Sequence, residues 1–222
     1  MLPRVADVPV PEAPFAPDAA SDPVAATLDS VDFTRLVSGL RLDGDLDTPQ
    51  LDDVEIDGCR LERVRVIGGR ITHCAVTDTV LSGCDLSGVD MPDARWERVA
   101  VEESRLAGCA LNGAVLRDVD VQDVRAPRLH LRFASVRRMR FSRCDLAGAD
   151  LTGATLDNVL FADCAFNGVE FAEMSVKHTR FVGCDLTGAR GVEALRGASV
   201  DERTVLSLAE PMAAALGIRV RG

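Results

Sequence analysis

Seven cysteines and three histidines have the clearest capacity for chemistry in this 222-residue sequence. Thiolate and imidazole groups together bind zinc, and pairs of cysteines form disulfides. The cysteines are Cys59, Cys74, Cys84, Cys109, Cys144, Cys164 and Cys184, and the histidines are His73, His130 and His178. Whether any of them can converge depends on the direction in which each side chain points.

Three acidic residues near the start of the chain form a second candidate metal site. Asp43, Asp45 and Asp47 alternate as the first ligands of a calcium-binding loop do. The sixth position of such a loop would be Thr48 instead of glycine, and the twelfth would be Val54 instead of glutamate. We therefore expect no calcium site.

A group of arginines in the middle of the chain is the third candidate. Its members are Arg125, Arg128, Arg132, Arg137, Arg138, Arg140 and Arg143. In an open domain such a group indicates a nucleic-acid-binding surface. The sequence contains no GxSxG, no P-loop and no GxGxxG ahead of a helix. We therefore predict no catalytic residue and no cofactor-binding residue, and we expect a protein that is not an enzyme.

A period of five residues determines how these side chains are placed. Every fifth residue from Leu51 to Leu186 is apolar, and the residue two before it is nearly always small. A large and a small residue two apart point the same way in an extended chain. The polar residue and glycine that often follow can turn a corner. Four such sides would close a square coil of about twenty residues.

Several stretches resemble a known repeat. The runs CDLSG (84–88), CDLAG (144–148), ADLTG (149–153) and CDLTG (184–188) are similar to the A(D/N)LXX motif of pentapeptide-repeat proteins, here of an actinobacterial type. The resemblance implies an all-β fold, a right-handed quadrilateral β-helix. It carries little information about function, because repeat scaffolds support many unrelated activities.

The coil removes the first candidate chemistry. All seven cysteines occupy the small inward position, where cysteine acts as a compact apolar residue. Cys144, Cys164 and Cys184 should stack on successive coils, but their side chains would be parallel, so we expect free thiols. The histidines occupy outward or corner positions. No set of histidines and cysteines can therefore converge on zinc, and the sequence predicts no metal site.

The chain divides into four segments by composition. Residues 1–23 are rich in proline and should form a disordered tail. Residues 24–50 should cap the first coil with a short amphipathic element, for which helix is favoured over strand. Residues 51–190 should form about seven coils. Residues 191–222 should form a C-terminal helical cap or a dimerisation segment.

The C-terminal segment has helix signals of its own. Ser199 and Glu202 have the spacing of a capping box, and Pro211 should begin a second helix after a break. Ile218 and Val220 alternate like a short strand. Ahead of them, Leu195 and Val200 fall one residue early and indicate a last, distorted turn. Self-capping and a homodimer through residues 199–220 would bury the same apolar stripe, and the sequence leaves both open.

Residues twenty apart should contact one another on neighbouring coils. Phe141, Phe161 and Phe181 should form an aromatic ladder, and opposite charges should pair around the rod. The expected charge sets are Asp78–Arg98–Asp118–Arg138, Asp85–Arg105, Arg125–Asp145, Asp120–Arg140 and Asp123–Arg143–Asp163. The arginines would then surround the rod as a solvated, paired belt, which makes direct binding of nucleic acid unlikely.

Net charge and hydropathy address compartment and partners. The net charge is −10, with 9 acidic and 3 basic residues in 1–50 against 22 and 18 in 51–190. No apolar stretch approaches a membrane span, and no secretion signal is recognisable, so we expect a cytoplasmic protein.

The sequence therefore favours a non-enzymatic scaffold for protein–protein interaction whose partner is unknown. The alternative is a DNA mimic that binds DNA gyrase and protects it from quinolones or toxins, as some pentapeptide-repeat proteins do. A mildly acidic rod interrupted by arginines fits that alternative less well, because duplex DNA carries dense charge along its length.

Overall fold

A computed structural model describes residues 24–34 and 36–219 of the chain, with the exception of the Asp29 side chain. These residues form a β-solenoid of about nine turns that ends in a single α-helix. The predicted tail at 1–23 and the Val220 end of the predicted terminal strand lie outside the described residues.

Strand length divides the solenoid into a short-stranded beginning, a long-stranded middle and a short-stranded end. The first strands are β1 Val24–Thr27, β2 Val37–Ser38, β3 Leu40–Asp43, β4 Asp45–Asp47, β5 Gln50–Asp52, β6 Glu55–Asp57, β7 Arg60–Glu62, β8 Arg65–Ile67 and β9 Arg70–Thr72. The middle strands are β10 Ala75–Ser82, β11 Arg95–Glu102, β12 Val115–Gln122, β13 Ser135–Ser142 and β14 Thr155–Ala162. The last are β15 Ser175–Lys177, β16 Arg180–Val182 and β17 Ser199–Val200. Short 3-10 helices occupy Leu28–Ser30 and Val192–Leu195, and α1 spans Glu202–Ala215.

All strand pairs are parallel, and their register confirms the twenty-residue coil. Trp96 pairs with Leu116 and Phe141 with Phe161, each twenty residues further on. At the C-terminal end Phe181 pairs with Val200, nineteen residues on. The predicted distorted last turn, with Val200 one residue early, is therefore confirmed.

The solenoid begins earlier than predicted, so the expected count of seven coils is too low. β1 pairs with β3, and β3 pairs with β7 through the Leu42–Leu61 partners. The predicted amphipathic helix in the segment 24–50 is wrong, since this segment contains strands and one 3-10 turn. An open coil edge offers unpaired backbone groups to any neighbouring extended chain, and here that pairing outweighs the weak helical pattern.

Left-handed corners close every side of the coil. Each fifth residue from Thr48 to Gly188 has a positive φ, between 41° at Thr48 and 71° at Gly88. Glycine adopts this conformation freely, whereas other residues are strained by about 1–2 kcal/mol. Many corners nevertheless carry charged or polar residues. Four corners per coil make the solenoid four-sided.

Large side chains fill the interior, and the predicted aromatic ladder is confirmed. The ring centroids of Phe141 and Phe161 lie 5.0 Å apart, and those of Phe161 and Phe181 lie 4.8 Å apart. Both pairs are stacked, and Phe166 meets Phe161 and Phe181 edge-on. The interior offers apolar packing and no polar substrate pocket among the described residues.

Many of the small inward residues with a thiol or hydroxyl group make the same hydrogen bond. The side chain donates to the carbonyl oxygen two residues earlier, as Cys164 Sγ does to Ala162 over 3.3 Å and Thr79 Oγ1 does to Thr77 over 2.7 Å. All seven cysteines are buried and free. Burial raises the pKa of Cys74 and of Cys109 to about 12. These thiols therefore stay protonated at neutral pH, which suits packing and not catalysis.

The C-terminal helix differs from its prediction in its start and its continuity. The N-cap is Asp201, whose carboxylate accepts a hydrogen bond from the Thr204 backbone at 3.0 Å, so the expected capping box of Ser199 and Glu202 is wrong. The helix passes through Pro211 without a break, so the predicted second helix is wrong: this proline costs one backbone hydrogen bond, and it is buried. Ile218 follows the helix outside any strand.

This helix completes the open edge of the last coil. Backbone N–H groups of that coil donate to helix side chains: Gly183 to Asp201 at 3.1 Å, Cys184 to Thr204 Oγ1 at 3.0 Å and Leu186 to Ser207 Oγ at 2.9 Å. Without the helix, these N–H groups would lack the acceptors that a further coil would provide. Side chains of α1 therefore substitute for the missing strand.

The inward register predicts the effect of a charge at Leu156. Leu156 is fully buried, whereas the next residue, Asp157, points outward. Leu156→Asp should prevent soluble folding, because burying an unpaired carboxylate costs several kcal/mol. Asp157→Asn, the matched outward change, should fold normally. Soluble expression and far-ultraviolet circular dichroism measure both, and a soluble, β-rich Leu156→Asp protein would contradict the register.

Candidate interaction surfaces

Ion pairs between neighbouring coils cover part of the outer surface. Arg Nε atoms donate to Asp Oδ1 atoms one coil earlier in each of four pairs that the sequence predicted. The pairs are Arg98–Asp78 at 2.6 Å, Arg138–Asp118 at 2.6 Å, Arg140–Asp120 at 2.9 Å and Arg143–Asp123 at 2.7 Å. Hydrogen bonding to Asp120 and Asp123 raises the pKa of Arg140 and Arg143 respectively. This half of the predicted arginine belt is therefore occupied by intramolecular partners.

Four predicted pairs form no ion pair within the described residues: Arg98–Asp118, Arg143–Asp163, Asp85–Arg105 and Arg125–Asp145. Of their two predicted partners, Arg98 and Arg143 bind only the aspartate one coil earlier. Asp85 and Arg105 share a backbone bridge, as do Arg125 and Asp145, but neither pair is joined by a side-chain ion pair. The carboxylates instead accept hydrogen bonds within their own turns, as Asp145 does from the Ala147 backbone at 3.1 Å. Asp85 does the same for Ser87 at 3.0 Å. These carboxylates therefore bind the backbone of their own turns instead of the arginines on the neighbouring coils.

A histidine and two aspartates come together at one corner. The Nδ1 atom of His73 lies 3.0 Å from Asp52 Oδ1 and 3.5 Å from Asp53 Oδ1. The hydrogen bond to Asp52, followed by the charges of Asp52 and Asp53, raises the pKa of His73. All three side chains are exposed. This trio was not predicted, because histidine was considered as a ligand only together with cysteine, although Asp53 and His73 are twenty residues apart.

The other candidate metal residues do not assemble. Asp43, Asp45 and Asp47 are exposed along β3 and β4, and no group of three ligands in the described part of the chain includes them. Together with the exposed Asp52, Asp53 and Glu55 they make the N-terminal coils the acidic end of the rod.

The arginines predicted as one belt separate into two groups. Arg137, Arg138, Arg140 and Arg143 belong to β13 and the corner after it, where each lies near a carboxylate. Arg125, Arg128 and Arg132 lie on the two sides that carry turns instead of long strands, and all three are exposed. The sequence did not distinguish these groups.

One turn side of the rod carries an exposed aromatic ring. Phe133 is 62% exposed and occupies a left-handed corner with φ 58°. It is the one apolar residue among the corners from Thr48 to Gly188, and this was visible in the sequence. A Cβ atom on Gly153 would lie 2.4 Å from Phe133 Cδ1, so the ring rests on that glycine. The Arg132 guanidinium carbon is 5.9 Å from the ring centroid.

A shallow groove lies beside this ring. Its walls include Arg128, His130 and Arg132 on one coil and Glu170 and Arg190 on later coils. Its floor contains Gly148, Asp150 and Thr152. The groove exists because glycine corners leave no side chain to fill it.

The C-terminal helix exposes an apolar stripe on the side away from the last coil. Thr204, Leu208 and Pro211 are buried. Val205, Leu206, Met212, Leu216 and Ile218 are exposed, with Leu206 at 78% and Leu216 at 74%. The helix therefore caps its own coil and still presents apolar residues outward.

The twenty-residue register, the left-handed corners and the filled interior define a four-sided parallel β-solenoid built on a five-residue repeat. Residues 126–191 match the family model described as pentapeptide repeat region. This match confirms the predicted resemblance to pentapeptide-repeat proteins for these residues. The actinobacterial type stays a prediction.

Solved structures of pentapeptide-repeat proteins are similar to this chain. A trypsin-treated form of QnrB1, a plasmid-mediated fluoroquinolone resistance protein, is 19% identical, with 90% of this chain and 99% of that chain covered and a TM-score of 0.41. HetL of Nostoc sp. strain PCC 7120, involved in regulation of heterocyst differentiation, is 18% identical, with 75% and 82% covered and a TM-score of 0.34. No curated protein sequence matches the chain. Among the described residues, no helix is long and apolar enough to span a membrane.

Two glycine corners test the placement of Phe133. Gly88 and Gly153 have φ 71° and 69°, but an added Cβ meets nothing within 4 Å at Gly88 and meets the Phe133 ring at Gly153. Gly88→Ala should cost about 1 kcal/mol through backbone strain alone. Gly153→Ala should cost more, and the excess should disappear in a Phe133→Gly background. Urea unfolding followed by the fluorescence of Trp96 measures wild type, Gly88→Ala, Gly153→Ala, Phe133→Gly and the Phe133→Gly, Gly153→Ala double variant. An equal loss from Gly153→Ala with and without Phe133 would contradict this contact.

Proposed function

We propose that the chain is a non-enzymatic scaffold that acts in the cytoplasm and binds protein partners through its rigid outer surface. The observation that carries this proposal is the division between an apolar interior and exposed apolar groups that include Phe133 and the α1 stripe. Exposed contiguous apolar residues on a stable fold are typical of binding surfaces. The buried, free cysteines support a packing role over a chemical one.

The α1 stripe supports a homodimer through residues 199–220. Val205, Leu206, Met212 and Leu216 follow one side of the helix at spacings that place them together, and none contacts the last coil closely enough to be buried. A two-fold axis would bring two such stripes into contact and bury both. The capping residues Thr204 and Leu208 stay in place in this arrangement, so capping and dimerisation use opposite sides of one helix.

Charges placed in the stripe should separate the dimer. Leu206→Glu combined with Leu216→Glu should change the solution mass from twice the chain mass of 23.7 kDa to that mass, because the carboxylates would be buried unpaired. Ala214→Glu, on the exposed side of α1 away from the stripe, should leave the dimer intact. Light scattering during size-exclusion chromatography measures the mass, and a monomeric wild-type protein at high concentration would contradict the proposal.

The alternative function is a DNA mimic that binds DNA gyrase. The acidic N-terminal end favours it, because Asp43, Asp45, Asp47, Asp52 and Asp53 are all exposed there. The charge is confined to that end, however, and cross-coil arginines neutralise carboxylates further along the rod. A mimic of duplex DNA needs negative charge over its whole binding length, so the scaffold is the better-supported function.

Affinity capture tests the scaffold and its alternative together. Immobilised wild-type protein should reproducibly retain one or a few proteins from a native lysate, and resin without the protein should not retain them. In a supercoiling assay with purified gyrase, we expect neither inhibition nor protection. Retention of gyrase subunits with an effect on supercoiling would replace the scaffold by the DNA mimic, and retention of nothing by the folded rod would contradict both.

A further inference from the structure

We propose that the turn side of the rod between β12 and β13, from Arg128 to Phe133, is a docking surface for an acidic protein segment that carries an aromatic side chain. This inference rests on the proposed scaffold function and names the surface and the chemistry of its partner. The surface consists of Arg128, His130, Arg132 and Phe133, together with the shallow groove beside them.

Phe133 presents an exposed aromatic ring at a left-handed corner. A bulky residue at a left-handed corner is strained, and this ring regains little burial in return, since it is 62% exposed. Glycine would avoid both penalties and occupies many equivalent corners. The Cδ1 and Cε1 atoms of the ring occupy the space that a Cβ atom on Gly153 would need, and the Arg132 guanidinium carbon lies 5.9 Å from the ring centroid. The result is a rigid, pre-oriented aromatic surface of the type found at binding hot spots.

Arginine side chains supply positive charge beside the groove. The two carboxylates near the groove are already engaged: Asp150 accepts from the Thr152 backbone at 2.9 Å, and Glu170 accepts from Arg190 Nε at 2.9 Å. The ion pairs of the described residues include Arg132 and Arg190 but not Arg128 or His130. Arg128 lies exposed across Gly148. The surface therefore offers the Arg128 guanidinium outside the ion pairs of the described residues, and Arg132 beside the Phe133 ring. These groups complement a carboxylate and an aromatic group on a partner.

The shape of the charged surface favours protein over nucleic acid. Its cationic side chains lie across the rod on one side of one coil. Along the rod axis the neighbouring coils place Asp150 and Glu170 on one side and the uncharged Ala110 and Asn112 on the other. A nucleic-acid backbone needs cationic contacts along a track of several nucleotides. A short acidic segment needs only the local set.

A defined peptide tests the surface directly. The probe is a fluorescein-labelled peptide with a central phenylalanine flanked by three glutamates on each side, and binding is followed by fluorescence anisotropy at physiological ionic strength. Phe133→Gly should weaken binding about fivefold, and Arg128→Glu should weaken it about tenfold. A peptide with alanine at its centre should lose the Phe133 dependence.

Matched controls separate the surface from general charge and folding effects. Glu173→Gly repeats the corner-to-glycine change on the same edge, where Glu173 has φ 58°. Arg63→Glu repeats the arginine change, since Arg63 shares φ 56° with Arg128 and likewise lies across a glycine of the next coil, Gly83. Both controls should bind the peptide within twofold of wild type, and all variants should keep the circular dichroism of the rod.

The outcomes decide between the surface and its rivals. Absence of peptide binding at millimolar concentration, or equal losses in Arg128→Glu and Arg63→Glu, would overturn the proposal. Tighter binding of a single-stranded thymidine oligonucleotide than of the peptide would replace it with a nucleic-acid surface. Retention of the same lysate proteins by wild type and by the Phe133→Gly, Arg128→Glu double variant would leave the scaffold function standing and remove this surface from it.

Discussion

The left-handed corner at every fifth residue is the constraint on which the rest of this protein depends. It turns the chain through four sides and returns it above itself twenty residues later, which brings Phe141, Phe161 and Phe181 into one stack. It also assigns every side chain a direction, inward or outward, by position alone. Strain at the corners that are not glycine is offset by the parallel hydrogen bonds and by the filled interior.

The same constraint divides the charged side chains of the surface into those that form ion pairs within the chain and those that do not. Residues one coil apart are close enough for arginine to reach aspartate, and around β13 these pairs occupy the cationic side chains. On the turn sides the aspartates are held by their own backbone, which leaves Arg125 and Arg128 outside the ion pairs of the described chain. The arginines from Arg125 to Arg143 are close together in the sequence, but only some of them are free of ion pairs within the described chain and available to a partner.

Position within the repeat was predictable from the sequence, whereas competition between partners was not. The period determined the coil, the burial of the cysteines and the early return of Val200, because each follows from direction and spacing. The strands of segment 24–50 were missed because pairing with an existing coil edge outweighs local preference. The His73 trio and the missing Asp85–Arg105 ion pair could not be predicted, because each depends on which of two nearby partners a carboxylate binds. Phe133 was visible as the one apolar corner, but its meaning required its exposure and its contact with Gly153.

The central claim is that recognition resides where an outward side chain departs from the repeat, and a photo-crosslinker placed at such a position tests it most directly. Benzoylphenylalanine replaces Phe133 in one protein and Glu173, on the same edge of the rod, in another, and both are irradiated in cells that express them. The account predicts a discrete heterologous protein adduct from position 133 and none from position 173. Equal adducts from both positions, or none from 133 in a folded rod, would contradict it.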